Sequence, residues 1–419
     1  MAFISRIKRF FSQLGPGLIT GASDDDPSGI ATYSQAGAQF GLLPLWTALY
    51  AFPLTIAIQE MCARVGIVTG EGLASNIKKH YSKVMLYFVM ALSLPAILLN
   101  IAADIAAMGA VANLLVPAIH AYWFSLLFTG ILMMTMIFLS YEKIVKILKY
   151  LCLSLFLYLI IPFLNKQDWL SIFKHSFIPY MQFNKQYFAI LLAILGANIS
   201  PYLFFWQATM QAEKHKNRPT LFVSHRHLER MNVDVGIGMF GANLIMYFII
   251  LTTGTILFPQ HIHNIATVEQ AAKALEPLAG QLSYLVFALG IIGTGFLAIP
   301  VFTGCISYVL SSAFNWEGGL KKPFYQAKSF YSVIILSLVM GFGINLIGLN
   351  AIQILFYTNL LYGLTSPFLI LLILLIANNK RIMGEYRNGA LSNALGVIVL
   401  FLMTLAALFL IFLYLRGDS

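Results

Sequence analysis

The stretch GASDDDPSGIATY, residues 21–33, sets three consecutive aspartates and a proline inside a chain that is otherwise largely apolar. A carboxylate taken out of water is costly unless new partners replace its hydration. Pro27 cannot donate the i→i−4 hydrogen bond of a helix, and Gly29 admits backbone geometry that other residues resist. A helix running through this stretch is therefore expected to break at Asp26–Pro27. Irregular backbone at membrane depth persists only where protein or a wet cavity satisfies it, so the break and the acids call for one explanation.

The surroundings are those of a membrane protein. Of 419 residues, 59% are hydrophobic and 10% charged, against about 25% charged in soluble domains; the mean hydropathy is +0.81. Runs such as 283–310 and 394–415 are long enough to cross ~30 Å of hydrocarbon as helices. The expectation is an all-α polytopic membrane protein with eleven transmembrane helices. They fall near 15–42 (interrupted), 44–67, 85–115, 120–141, 147–165, 187–211 (interrupted), 233–258, 281–312, 329–347, 352–377 and 391–415. Residues 1–14 lack the apolar core of a cleavable signal. With a cytoplasmic N-terminus, 21 of the 26 lysines and arginines face inside and only Lys166, Lys174, Lys185, Lys273 and Arg416 lie outside. That is the positive-inside bias. It places the C-terminus outside, accounts for the net charge of +10 and gives no reason to invoke nucleic acid. The expected location is the bacterial inner membrane, with the lipid bilayer and a small cation as partners and no obligate protein partner.

A second interruption matches the first. LLAILGANISPYLFFWQATM (191–210) places Gly196, Asn198, Ser200 and Pro201 inside span 6. Spans 1 and 6 are five helices apart, so they cross in opposite directions. Paired breaks in oppositely inserted halves indicate an inverted-repeat transporter whose breaks meet near the bilayer midplane. The division is a cytoplasmic N-terminus at 1–14, a first repeat at 15–165, an external linker at 166–186, a second repeat at 187–377 and an additional helix at 391–415. A carboxylate at the break suits a cation, and Asp26 is the candidate ligand, with Asp24 and Asp25 toward the cytoplasmic vestibule.

Asp104, in NIAADIAAMGAVANLL (100–115), is either functional, as intramembrane acids usually are, or a structural hydrogen-bonding group. Asn359 could offer an amide oxygen from span 10. Glu60 and Arg64 read as an i,i+4 ion pair. His225, His227, His261 and His263 fall in loops without further spaced ligands. Cys62, Cys152 and Cys305 read as buried small hydrophobes, with neither a disulfide nor a thiolate site.

GPGLITGASDDDPSGIATYSQAGAQFG (15–41), QEMCARVGIVTGEGLA (59–74) and GANISPYLFFWQ (196–207) resemble the first, second and sixth helices of the NRAMP divalent-metal transporters. The resemblance covers essentially the whole chain and implies a LeuT-like fold. Where that family has Asp-Pro-Gly-Asn, this chain has Asp26-Pro27-Ser28-Gly29. Where it has Met-Pro-His, this chain has Ser200-Pro201-Tyr202. Gln207 replaces a second histidine, Ala107 the glutamate that follows Asp104, and Asn359 a glutamine. The implied ligands are the Asp26 carboxylate, the Ala197 carbonyl, the Ser200 hydroxyl and the Asn359 amide, with Gly29 at the family's asparagine position. Asp24, Asp25, Asp104, Tyr202 and Gln207 are possible accessory residues.

Loss of the thioether removes a preference for soft ions, and glycine at 29 is expected to leave room for water. Mg²⁺ keeps much of its hydration when bound. The first expectation is therefore a secondary transporter importing Mg²⁺, or Mn²⁺, by alternating access without proton coupling and without a cofactor, as in the NRAMP-related magnesium transporters. The alternative is a proton-coupled Mn²⁺ or Fe²⁺ symporter. An organic-solute symporter would aim helix N-termini at a substrate carboxylate, which Asp26 argues against. A membrane enzyme using Asp-bound Mg²⁺ would need a second acidic cluster, which the sequence lacks.

Overall fold

The computed structural model describes residues 16–139, 158–164, 166–216, 223–276, 280, 283–347 and 350–416. Every regular element among them is helical. Helices of eight or more residues are numbered in chain order. The first span is two helices, α1 (Pro16–Asp24) and α2 (Pro27–Phe40), with Asp25 and Asp26 outside both. There follow α3 (Trp46–Thr69), α4 (Leu73–His80), α5 (Lys83–Leu115), α6 (Ala121–Phe138) and α7 (Trp169–Phe177). The sixth span is again two helices, α8 (Lys185–Asn198) and α9 (Pro201–Lys216). The chain continues through α10 (His225–Ile256), α11 (Ser283–Phe314), α12 (Lys328–Asn345), α13 (Ala351–Asn378) and α14 (Ala390–Arg416).

Among the described residues, nine helices are long and apolar enough to cross a membrane, counting Lys185–Lys214 as one. The expected count of eleven differs for two reasons. The first span is split into helices of 9 and 14 residues, each too short to cross alone. The fifth, expected at 147–165, lies largely outside the described residues. The expected linker at 166–186 carries α7, whose N-terminus is capped by Asp168 accepting from the Ser171 N–H at 3.1 Å. His225 and His227 open α10 instead of lying in a loop. Glu60 and Arg64 form the expected ion pair. Cys62 and Cys305 are buried free thiols, and Cys152 falls outside the described residues.

The exterior is apolar. Trp123, Phe138, Phe401 and Leu415 all point outward from α6 and α14, as expected of surfaces that face lipid. The polar residues have moved inside: Asp24, Asp25, Asp26, Asn100, Asp104, Asn198, Gln207 and Asn359 are all buried. Lipid is as apolar as leucine, so helices in it associate through close packing and interhelical hydrogen bonds rather than hydrophobic exclusion. The contact of α1 with α10 shows both. A Cβ on Gly17 would lie 2.7 Å from Val235 N, and one on Gly21 would lie 2.7 Å from Gly238 Cα. Glycine at both positions lets the two backbones touch. At the same contact Asp234 Oδ2 accepts from the Gly17 N–H at 3.0 Å. An acid thereby caps the start of α1, where unpaired N–H groups and the helix dipole favour negative charge.

Overpacking of this kind typically costs about 1–3 kcal/mol, so Gly21→Val should lower the melting temperature of the detergent-purified protein. Gly236→Ala, where nothing lies within 4 Å of an added Cβ, should leave it unchanged or raise it. Equal melting of Gly21→Val and wild type would contradict the backbone contact.

Candidate cation site

The two breaks supply the site. Asp26 adopts an extended conformation (φ −73°, ψ 171°) and caps α2, with Pro27 at the first helical position. This is a favoured sequence for a helix start: an acid accepts the free N–H groups, and proline fills a position whose N–H has no partner to lose. Asp26 Oδ1 accepts from the Gly29 N–H at 2.7 Å. The Ser28 hydroxyl lies 2.8 Å from each carboxylate oxygen. Asn100 Nδ2, reaching across from α5, donates to Oδ2 at 2.8 Å. All three donors are neutral. The carboxylate is oriented by them but not neutralised, in a position only 2% exposed.

Asn359 joins the group from α13. Its Nδ2 donates to Thr32 Oγ1 at 2.9 Å, which turns Oδ1 to within 3.3 Å of the Ser28 hydroxyl. Asp26, Ser28, Asn100 and Asn359 therefore form one polar cluster built by α2, α5 and α13. Asn100 was not among the candidates from the sequence. Its signal is faint: an amide within an apolar run, one turn before Asp104.

The second break is held differently. Asn198 ends α8 with its side chain fully engaged: Nδ2 donates to Asn243 Oδ1 at 2.8 Å and to Met246 Sδ at 3.2 Å, and Oδ1 accepts from Thr55 at 2.9 Å. The Ile199 carbonyl accepts from the Ser366 hydroxyl of α13 at 2.7 Å. Ala197 and Ser200 are buried at this break and make no hydrogen bond to Asp26.

Two other expected residues serve to join the broken helices. The Tyr202 hydroxyl donates to the Ser23 carbonyl at 3.1 Å, and Gln207 Oε1 accepts from the Thr20 hydroxyl. Both bonds tie α9 to α1 and neither reaches the Asp26 carboxylate. Gly29 acts through its N–H, a donor that holds Asp26, and a donor cannot ligate a cation. Nor is the space beside it roomy in this conformation: a Cβ there would lie 3.1 Å from the Asp24 carbonyl and 3.3 Å from Asp26 Oδ1. Asp24 and Asp25, expected toward the cytoplasmic vestibule, are 1% and 2% exposed, and Oδ1 of each lacks a partner. Asp104 is wholly buried with neither oxygen hydrogen-bonded.

Among the described residues no group of three or more His, Cys, Asp or Glu side chains could hold a metal ion. A cation bound here would meet one oriented carboxylate and several neutral oxygens. Such a set suits hard divalent ions: Mg²⁺, Ca²⁺ and Mn²⁺ all take carboxylate, carbonyl and water oxygens.

Residues 17–413 match the family model described as natural resistance-associated macrophage protein-like, Nramp. The divalent metal cation transporter MntH of Caldanaerobacter subterraneus subsp. tengcongensis is 25% identical over 422 residues, covering 98% of this chain and 95% of that protein. Among solved structures, the Eremococcus coleocola manganese transporter in complex with an aromatic bis-isothiourea compound superposes with a TM-score of 0.75 at 18% identity, covering 96% of this chain and 87% of that one. The inward-facing conformation of Mhp1 superposes at 0.57 with 13% identity, covering 96% and 91%. These two likenesses show a shared, LeuT-like fold.

Supporting residues around a metal typically carry 10–100-fold in affinity. Thr32→Val keeps the shape but removes the acceptor that fixes the Asn359 amide. It should weaken divalent-cation binding to the purified protein, titrated with Mn²⁺ as the probe, by about tenfold with little change in melting temperature. An unchanged Kd would show that the orientation of this amide is immaterial.

Proposed function

The chain belongs to the Nramp family, and on that footing we propose that it carries a divalent metal cation, Mn²⁺ first, across the membrane through the Asp26 site. The observation that carries this reading is the Asp26 carboxylate itself: buried, oriented at a helix break and surrounded by neutral oxygens and donors. A divalent ion supplies the charge this arrangement lacks.

The identity of the ion is where the sequence reading needs adjusting. Its first expectation, Mg²⁺ without proton coupling, draws no support from the relatives. A divalent metal cation transporter and a manganese transporter favour the alternative, a proton-coupled Mn²⁺ or Fe²⁺ carrier. The donor set agrees with Mn²⁺, which accepts oxygen ligands readily; the absent thioether at position 200 does not count against it. Asp104, Asp24 and Asp25, buried with unpartnered oxygens, are carboxylates to which a cotransported proton could bind. Mg²⁺ stands as the second reading, favoured by one observation: the neutral groups beside the Asp26 carboxylate that could face an ion, the Ser28 hydroxyl and the Asn359 amide, offer oxygen and no sulfur.

Transport by alternating access follows from the two breaks, read as equivalent points of inverted repeats in an inner membrane with the N-terminus cytoplasmic. In that orientation the ion enters from outside and meets Asp26, and the Ser28 hydroxyl and the Asn359 amide turn their oxygens toward it. Release to the cytoplasm requires α1 to part from α9 and α10. That motion breaks the bonds of Gly17 to Asp234, Thr20 to Gln207 and Ser23 to Tyr202. A membrane potential of 100 mV supplies ~2.3 kcal/mol per elementary charge, and about twice that for a divalent ion, so import is driven even without a proton.

In proteoliposomes, Asp26→Ala should reduce Mn²⁺ uptake to the level of protein-free vesicles; uptake within twofold of wild type would refute the site. With a pH-sensitive dye enclosed, Mn²⁺ entry should acidify the lumen. Saturable Mg²⁺ uptake with no acidification would favour the second reading instead.

A further inference from the structure

We propose that Asn100 is a metal-contacting residue that helps set which ions the site accepts. The proposal rests on reading Asp26 as the cation site and assigns a residue that the two broken helices do not supply. Asn100 is wholly buried in α5. An amide offers two N–H donors and a carbonyl oxygen with two lone pairs, yet this one uses a single donor, Nδ2 to Asp26 Oδ2 at 2.8 Å. Its Oδ1 has no partner. A buried polar atom left unsatisfied is destabilising, and in native proteins such an atom calls for a specific explanation.

The rest of the helix face gives one. Asp104 is four residues on, so it lies one turn along the same face of α5. It too is wholly buried, and neither of its oxygens is hydrogen-bonded. Three buried acceptor oxygens, one on Asn100 and two on Asp104, thus lie one turn apart on one helix, and none of them is hydrogen-bonded. Rows of acceptors without donors fit a cation and its water shell; an anion or an organic carboxylate would need the reverse. The intervening residues, Ile101, Ala102 and Ala103, are apolar and buried, so a packing role alone gives no reason for an amide at 100.

In this structure Asn100 steadies the Asp26 carboxylate through Nδ2. With a divalent ion present, Oδ1 becomes a neutral, hard ligand, and Asp104 accepts from water on the ion. An amide oxygen in the inner shell favours hard ions over soft ones, so this position bears on selectivity as well as affinity.

The test is a comparison of Mn²⁺ and Cd²⁺ uptake in proteoliposomes for wild type, Asn100→Leu, Asn100→Met and Asn100→Gln. Asn100→Leu should raise the KM for Mn²⁺ at least tenfold. Asn100→Met, which places a soft thioether there, should shift the Mn²⁺-to-Cd²⁺ preference toward Cd²⁺ by about tenfold. Asn100→Gln, which keeps the amide, should stay nearer wild type in that preference. A merely structural role would change folding yield or melting temperature and leave the ion ratio alone. If Asn100→Met and Asn100→Leu both keep the ratio and the KM within twofold while Asp26→Ala is inactive, the proposal falls and the Asp26 site stands. Should Asp26→Ala itself transport normally, the site reading falls instead. Direct binding of Mn²⁺ to the detergent-purified variants, by isothermal titration, gives the same comparison for any variant too poorly reconstituted for flux: a Kd raised at least tenfold in Asn100→Leu supports the proposal, and one within twofold of wild type overturns it.

Discussion

The carboxylate of Asp26, held by neutral donors at the start of α2, is the constraint around which the structure is arranged. In an unbroken helix its side chain would find no free N–H to accept, because every amide nearby would already be paired within the helix. The break before Pro27 releases the Gly29 N–H for it. A partner such as arginine would have satisfied the acid more strongly, but it would also have cancelled the charge. Ser28, Gly29 and Asn100 satisfy its geometry and leave its charge in place. That retained charge is what the proposed passage of a divalent cation requires.

The hydrogen bonds around the break also divide the first span into two pieces with different allegiances. The α1 half is tied to α9 and α10: the Gly17 N–H to Asp234, Thr20 to Gln207, and the Ser23 carbonyl to Tyr202. The α2 half is tied to α5 and α13, through Asp26 to Asn100 and through Thr32 to Asn359. A relative movement of these partners pulls on the site from both sides. The glycine contact of α1 with α10 allows the backbones to approach closely without interlocked side chains. The contacts that hold α1 on α9 and α10 and those that hold Asp26 therefore lie within the same short stretch.

Much of this is legible in the sequence. Pro27 and Pro201 mark the two breaks because proline leaves the helix ladder for a reason local to itself, and the acid before Pro27 names the charge at the site. Asn359, singled out as an amide in span 10, does reach the Asp26 group. What the sequence could not convey is direction in space. Tyr202 and Gln207 occupy positions where the family has histidines, yet here they bond to α1, and only the packing of α9 on α1 reveals that. Glycine at 29 suggested room for water; the Asp24 carbonyl takes up much of that space. Asn100 escaped notice because a single amide in an apolar helix has no periodicity, and its meaning depends on an acid 74 residues away. The choice of ion is open in the sequence for a chemical reason: losing a thioether weakens the case for soft metals, but oxygen ligands suit Mn²⁺ as well as Mg²⁺.

The measurement that bears most directly on this account is anomalous diffraction from crystals of the protein grown with Mn²⁺. The account predicts a peak within inner-sphere distance of the Asp26 carboxylate, bordered by the amides of Asn359 and Asn100. A manganese peak elsewhere in the membrane-spanning region, with the Asp26 cluster unoccupied, would contradict it.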